Sequence, residues 1–161
     1  MPGITIAGDF IVGFPGETDD DFAQTVDLVK KARYKNSFIF KYSPRPGTVA
    51  DKRLEDNVPQ EIKERRNHEL LKAQEEISRV LAAEFTGRTV KVLVEGPSKK
   101  SHQAGNIPQL VGRTAGDWIV VFNGPSAEGE TSPKGGENLA GRFANVKITR
   151  TTPLTLFGEL V

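Results

Sequence analysis

The hydrophobic pattern changes its period near residue 86. Before that point short apolar runs alternate with helically spaced ones. Phe10-Ile11-Val12 is too short for a helix and is rich in β-branched and aromatic side chains, so it reads as a buried strand. Gly13, Pro15 and Gly16 end it. Thr18 then starts a helix, with Asp21 three residues on as capping partner, and Phe22, Val26 and Val29 recur at helical spacing to face a sheet. Residues 37–42, Ser-Phe-Ile-Phe-Lys-Tyr, read as a second buried strand that exits into Ser43-Pro44-Arg45-Pro46-Gly47-Thr48. Strand, helix, strand predicts a right-handed βαβ unit, which needs further parallel strands to bury both faces. After residue 50 the βα rhythm does not return, so the front reads as the tail of a larger sheet or barrel.

Residues 51–58 read as a polar connector, and Pro59 suits the first turn of a helix that runs to about Phe85. Leu70, Ala73, Ile77 and Leu81, with Leu71 and Val80 beside them, give its second half an apolar seam. Residues 63–69 are almost wholly polar. The pattern predicts a lever packed at one end and solvated at the other, with a partner-binding helix as the alternative. Past Gly87 the period becomes two. Val90, Val92 and Val94 alternate with polar or outward positions, and residues 118–122, 143–148 and 155–160 form three more strand-like runs. Glycines 96, 112, 124, 141 and 158 punctuate them, and residues 123–138 read as a surface loop. Short strands spaced by turns predict a small β-barrel of the oligonucleotide-binding kind. The expected fold class is therefore α/β followed by all-β. The domains would be 1–54, a linker helix 55–86, and a barrel 87–161.

Composition narrows the chemistry. With no cysteine, the chain forms no disulfide and holds no thiolate zinc site or cysteine-bound iron–sulfur cluster. His68 and His102 are isolated, so no metal site is expected. No apolar run approaches membrane-spanning length, which makes a cytoplasmic, membrane-free protein the default. Overall charge is nearly balanced, but residues 87–161 carry nine Lys/Arg against six Asp/Glu. That excess is a mild pointer to phosphate contacts, with Lys99, Lys100, Arg113 and Thr114 at the candidate loop rim. Trp118 could stack on a base, although a Trp inside an apolar strand more often fills a core.

The strand–glycine turn–helix at Val12-Gly13-Phe14-Pro15-Gly16-Glu17 is the recipe for a ligand site at the carboxyl end of a parallel strand. Gly13 and Gly16 admit close backbone approach, and their amides could meet a ligand's polar edges. Arg45 is the long cation at the second strand's exit, suited to phosphate or carboxylate, and Tyr42 could stack or donate a hydrogen bond. The bland reading of such a turn is chain reversal alone. Asp19, Asp20 and Asp21 read as a solvated first helical turn.

Residues 9–18 (Asp-Phe-Ile-Val-Gly-Phe-Pro-Gly-Glu-Thr), 38–48, Gln74-Glu75-Glu76-Ile77, Gly87-Arg88 and Val92-Leu93-Val94-Glu95-Gly96 together resemble the carboxyl half of radical S-adenosylmethionine methylthiotransferases. The likeness is greatest to the MiaB-type members acting on isopentenyladenosine beside the tRNA anticodon. Residues 87–161 resemble their RNA-binding TRAM domain. The resemblance implies a radical-SAM barrel with a [4Fe-4S] cluster on three cysteines, and a second [4Fe-4S] cluster in an amino-terminal domain. Cleaved S-adenosylmethionine would yield the radical that opens the adenine carbon to sulfur and a methyl group. It further implies that Val12, Gly13, Phe14, Pro15, Gly16, Glu17, Tyr42, Ser43 and Pro44 lie near S-adenosylmethionine. Arg45, Lys99, Lys100, Arg113 and Thr114 would face tRNA. The cluster cysteines are absent, so no catalytic or metal-holding residue is expected in this chain, and its partner would be the cluster-bearing amino-terminal portion. Where relatives carry Asn and a basic residue after position 114, Ala115-Gly116-Asp117-Trp118 stands here. Asn67 and Ala73 stand where relatives often carry leucine.

Three readings follow. The first is the carboxyl-terminal part of a tRNA-modifying enzyme, inactive alone. The second is a stand-alone RNA-binding module. The third is part of a ribosomal-protein methylthiotransferase, whose turn after Tyr-Ser usually carries acids where Arg45-Pro46 stand here.

Overall fold

The computed structural model describes residues 4–99, 109–124 and 139–161. They fall into two compact units, Thr5–Ser78 and Arg79–Val161 together with Ile4, with the main division inside one long helix.

In the first unit β1 (Ala7–Val12) and β2 (Asn36–Lys41) form a two-stranded parallel sheet, with Val12 level with Lys41. α1 (Asp19–Ala32) connects them. The capping box is present as expected: the Thr18 hydroxyl accepts from the Asp21 amide at 3.1 Å, and Asp21 Oδ2 accepts from the Thr18 amide at 2.9 Å. Phe22, Val29, Val12 and Leu70 form the core, with Phe10, Val26, Ile39 and Ile77 packed against it.

Neither strand is buried on both faces, as the apolar runs had suggested. Phe10, Val12 and Ile39 point to α1 and α3, and the opposite face carries Ile11, Phe38 and Phe40, each more than half exposed. Phe38 and Phe40 stack on one another at 6.5 Å. The reason is topological: both helices lie on one side, and among the described residues nothing covers the other. Each uncovered side chain forgoes up to roughly 1.5–3 kcal/mol of burial.

The connector contains a short helix, α2 (Val49–Arg53), which Thr48 caps by accepting from the Asp51 amide. α3 runs over Gln60–Ala83. Its polar first half is not solvated. Lys63 and Arg66 are each only 3 % exposed, and they continue the inward stripe of Leu70, Gln74 and Ser78 one and two turns upstream. Each polar member of the stripe has at least one partner. Lys63 Nζ meets both oxygens of Asp56 at 2.6 and 2.7 Å. Arg66 bonds Glu17 Oε2 at 2.6 Å and Asp19 Oδ1 at 2.9 Å. Asn67 donates to the Ile39 carbonyl, Gln74 to the Tyr34 carbonyl, and Ser78 to the Lys35 carbonyl. Asn67, which the spacing left on the polar half of the helix, is therefore satisfied.

The second unit is a closed five-stranded barrel in the order β3-β4-β5-β7-β6. Its strands are β3 (Thr89–Pro97), β4 (Gln109–Arg113), β5 (Ile119–Asn123), β6 (Phe143–Thr151) and β7 (Thr155–Leu160). Val92, Val94, Trp118, Val120, Phe122, Val146, Ile148 and Leu156 fill it, with Ala82 from the end of α3. β4 escaped the sequence reading because it is short and half-buried. Nor do Gly112 and Gly158 punctuate strands. They sit inside β4 and β7, where a Cβ would collide with the backbone carbonyls of Leu93 and Lys147. Of the loop expected at residues 123–138, positions 125–138 lie outside the described residues.

Two outcomes test this packing. Gly158→Ala is expected to lower barrel stability by about 1–3 kcal/mol, read as a shift of the urea midpoint of Trp118 emission. An unchanged midpoint would mean the barrel is looser there than described. Acid should loosen the first unit. Asp19 is held below its ordinary 3.8, first by the Arg66 hydrogen bond, and Asp21 below 3.8 by the Thr18 hydroxyl and amide. Depressed carboxyls contribute their stability in full above the ordinary value and lose it as pH falls through the folded one. The protection factors of amides over residues 13–32, exchange rates corrected for their intrinsic slowing in acid, should therefore fall as pH drops from about 5 to about 3. The Asp19→Asn, Asp21→Asn double variant should flatten that response. Equal pH dependence in both proteins would refute the assignment.

Candidate functional site

Parallel pairing of β1 and β2 brings both strand exits to the same end, so the two turns singled out in the sequence are neighbours. The Tyr42 amide donates to the Val12 carbonyl at 2.9 Å, and the rings of Phe14 and Tyr42 meet edge-on at 5.0 Å. Gly13 takes φ +71°, a conformation glycine adopts without strain, and the space of its missing Cβ is filled by the Lys63 side chain. Lys63 Nζ also lies 5.3 Å from the Tyr42 ring centroid. The turn is therefore shaped by α3 as well as by its own glycines.

The amides expected to face a ligand are already taken. The Gly13 N–H donates to Glu17 Oε2 at 2.6 Å, and the Gly16 N–H to Asn57 Oδ1 at 2.8 Å. Glu17 in turn receives Arg66, whose side chain is 4 % exposed. Burial alone would lower the Arg66 pKa, but the hydrogen bonds and charges of Asp19 and Glu17 outweigh it and leave the guanidinium above its ordinary value. Removing one partner from such a buried pair typically costs about 3–5 kcal/mol. Arg66 Nε has no hydrogen-bond partner among the described residues. Arg66 also forms part of the wall of an open cleft of about 310 Å³, bordered by Gly16, Glu17, Asn57 and Pro59. What the turn offers outward is the Phe14 and Tyr42 rings, Pro15, and the exposed Ser43 and Pro44. Arg45 is exposed, and its carbonyl accepts from the Thr48 amide and hydroxyl. Its guanidinium makes no ion pair among the described residues.

Sequence reasoning missed Asp56, Asn57, Lys63 and Arg66. The signal was the spacing 63, 66, 70, 74, 78, which continues the apolar seam with polar side chains.

In the barrel, Lys99 is exposed just after β3, and Lys100 lies outside the described residues. Arg113 is tied to Asp117 Oδ1 at 2.6 Å and to Glu95 Oε1 at 3.0 Å, and both acids, Asp117 first, hold its pKa above the ordinary value. Thr114 closes the β4–β5 turn: its hydroxyl accepts from the Trp118 amide at 3.2 Å. Trp118 is in the core against Phe85, not displayed for stacking. No group of three or more His, Cys, Asp or Glu residues among the described residues could hold a metal, and no described helix is long and apolar enough to cross a membrane.

Comparison with known proteins agrees with this two-part layout. Residues 83–161 match the TRAM domain family. Over 99 % of its length the chain is 44 % identical to a tRNA-2-methylthio-N(6)-dimethylallyladenosine synthase of Rhodopirellula baltica, of which it covers 32 %. A protein of the same name from Fusobacterium nucleatum is 40 % identical over the whole chain, and one from Francisella tularensis subsp. novicida is 42 % identical over 99 %. The chain spans about a third of the length of the relatives it matches. By sequence this chain is similar to about a third of the tRNA-2-methylthio-N(6)-dimethylallyladenosine synthases, and its residues 83–161 match the TRAM domain family.

Proposed function

We propose that this chain does the work of the carboxyl-terminal part of a tRNA methylthiotransferase. In this reading residues 1–54 complete a radical-SAM barrel, 55–86 link, and 87–161 bind RNA. The observation that carries it is the half-covered sheet. Two parallel strands with helices on one face only, and Ile11, Phe38 and Phe40 on the other, are what a slice of a larger parallel barrel leaves. The adjoining exits would then border the barrel's ligand end. Phe14, Pro15, Tyr42, Ser43 and Pro44 supply an aromatic and apolar rim for S-adenosylmethionine, which when bound provides a transferable methyl group. Val12, Gly13, Gly16 and Glu17 act behind that rim as its frame. Arg45 stands free for a tRNA phosphate, and Lys99, Lys100, Arg113 and Thr114 are the loop-rim candidates for tRNA. Iron–sulfur clusters do not fit this chain, which has no cysteine. They would come from the amino-terminal, cluster-bearing portion, in a cytoplasmic setting with tRNA.

The second reading, a stand-alone RNA-binding module, draws on the barrel's closure, since it needs no strand from elsewhere. A chimera separates the two. This chain replaces the homologous third of the Rhodopirellula baltica synthase in cells lacking their own enzyme, and tRNA nucleosides are weighed by mass spectrometry. The enzyme reading expects 2-methylthio-N(6)-dimethylallyladenosine to appear. A soluble, cluster-loaded chimera that leaves dimethylallyladenosine unmodified would favour the binding module.

A further inference from the structure

The outer face of the barrel carries a surface that neither loop rim explains. β3 and β6 alternate strictly over their paired stretch. Val92, Val94, Val146 and Ile148 go inward, and Thr89, Lys91, Leu93, Phe143, Asn145 and Lys147 go outward. The antiparallel register stacks these outward residues in rungs: Thr89 with Lys147, Lys91 with Asn145, Leu93 with Phe143. Successive rungs are about 6.8 Å apart.

The last rung is apolar where water should favour a polar pair. Phe143 is 64 % exposed and Leu93 41 %. Neither serves the core, so folding does not account for a phenyl ring there. Lys91 Nζ stands 4.4 Å from the Phe143 ring centroid. Lys91 forms no ion pair among the described residues, nor does Lys147, although Glu159 is opposite it in register. Arg113 reaches the same level, across from Leu93, but Glu95 and Asp117 neutralise it. Two cations that form no ion pair among the described residues, Lys91 and Lys147, therefore lie along β3–β6 beside the exposed ring.

An exposed ring with lysines on the two adjoining rungs, one on each strand, suits a ligand that is itself flat and anionic at intervals. We propose that the β3–β6 face is a stacking platform for unpaired RNA, with a base on Phe143 and Leu93 and phosphates beside Lys91 and Lys147. A duplex cannot use it, because its bases are already stacked on each other. An acidic peptide would meet the lysines but leave the ring unmatched. The inference rests on the RNA-binding reading of the barrel and adds the surface, moving the main contact from Lys99, Arg113 and Thr114 to a strand face.

The test uses the full chain and fluorescence anisotropy with a short unstructured RNA and a blunt RNA duplex. Phe143→Ala should weaken single-strand binding about tenfold, and Phe143→Trp should preserve or tighten it. Lys91→Gln should lower the salt slope by about 0.7. Lys99→Gln should have the smaller effect on affinity. Unfolding midpoints equal to wild type confirm that these exposed positions leave the fold intact. Single-strand binding unchanged in Phe143→Ala and Lys91→Gln but lost in Lys99→Gln would overturn the platform and leave RNA binding standing. A wild-type chain that binds neither RNA would overturn both. If Phe143→Ala instead abolishes self-association and leaves RNA affinity unchanged, the surface joins copies of this chain and the platform is overturned.

Discussion

The guanidinium of Arg66 is the tie on which the first unit depends. It reaches from α3 to Glu17 and Asp19, at the junction where β1 has ended and α1 begins. Glu17 uses the same Oε2 to hold the Gly13 amide, so one carboxylate fastens the turn to itself and to the helix. Lys63 fills the volume beside Gly13 and is anchored by Asp56, and Asn57 takes the Gly16 amide. A glycine-rich turn would otherwise be the softest part of the unit. Here it is built into a chain of charge-assisted bonds, which are stronger than neutral ones and shorter.

That arrangement changes what the turn can do. The Gly13, Gly16, Glu17 and Tyr42 amides are used internally, so a ligand at the strand exits meets chiefly side-chain rings. The frame and the rim are different residues: Glu17, Asn57, Lys63 and Arg66 hold the shape, while Phe14, Tyr42, Ser43 and Pro44 present a surface. The uncovered sheet face beside them gives the apolar counterpart. A two-stranded sheet and a closed barrel differ in this respect. The β-unit satisfies its strand edges by closure, with Gly112 and Gly158 allowing neighbouring backbones close enough to complete the ring. The first unit has no such closure, and its exposed Phe38 and Phe40 are the physical mark of that.

Much of this was legible in the residues. The Thr18 and Asp21 cap, the helical spacing of Phe22, Val26 and Val29, and the alternation of Val90, Val92 and Val94 depend on local chemistry, and local chemistry is what a sequence writes most directly. Burial of β1 and β2 was not legible, because an apolar run says that a strand seeks cover and not whether cover exists. The inward turn of Lys63 and Arg66 was hidden for a different reason. Charged side chains ordinarily face water, and only the partners Asp56, seven positions from Lys63, and Glu17, 49 positions from Arg66, reverse that. β4 was missed because it is short and half-buried and carries Gly112, which ends strands in most settings and here permits the approach of Leu93. The candidate turn was found from its glycines, but Lys63 and Arg66, which help to shape it, lie on α3, Arg66 being 49 positions from Glu17.

The central claim is that α3 sets the geometry of the glycine turn through Arg66. Amide hydrogen exchange on the full chain, comparing wild type with Arg66→Met, tests it most directly. Methionine keeps apolar volume and helix propensity while removing the charge-assisted bonds. The account predicts that residues 13–19 lose protection while residues 143–160 in the barrel keep theirs. Unchanged protection at Gly13 and Gly16 would contradict it.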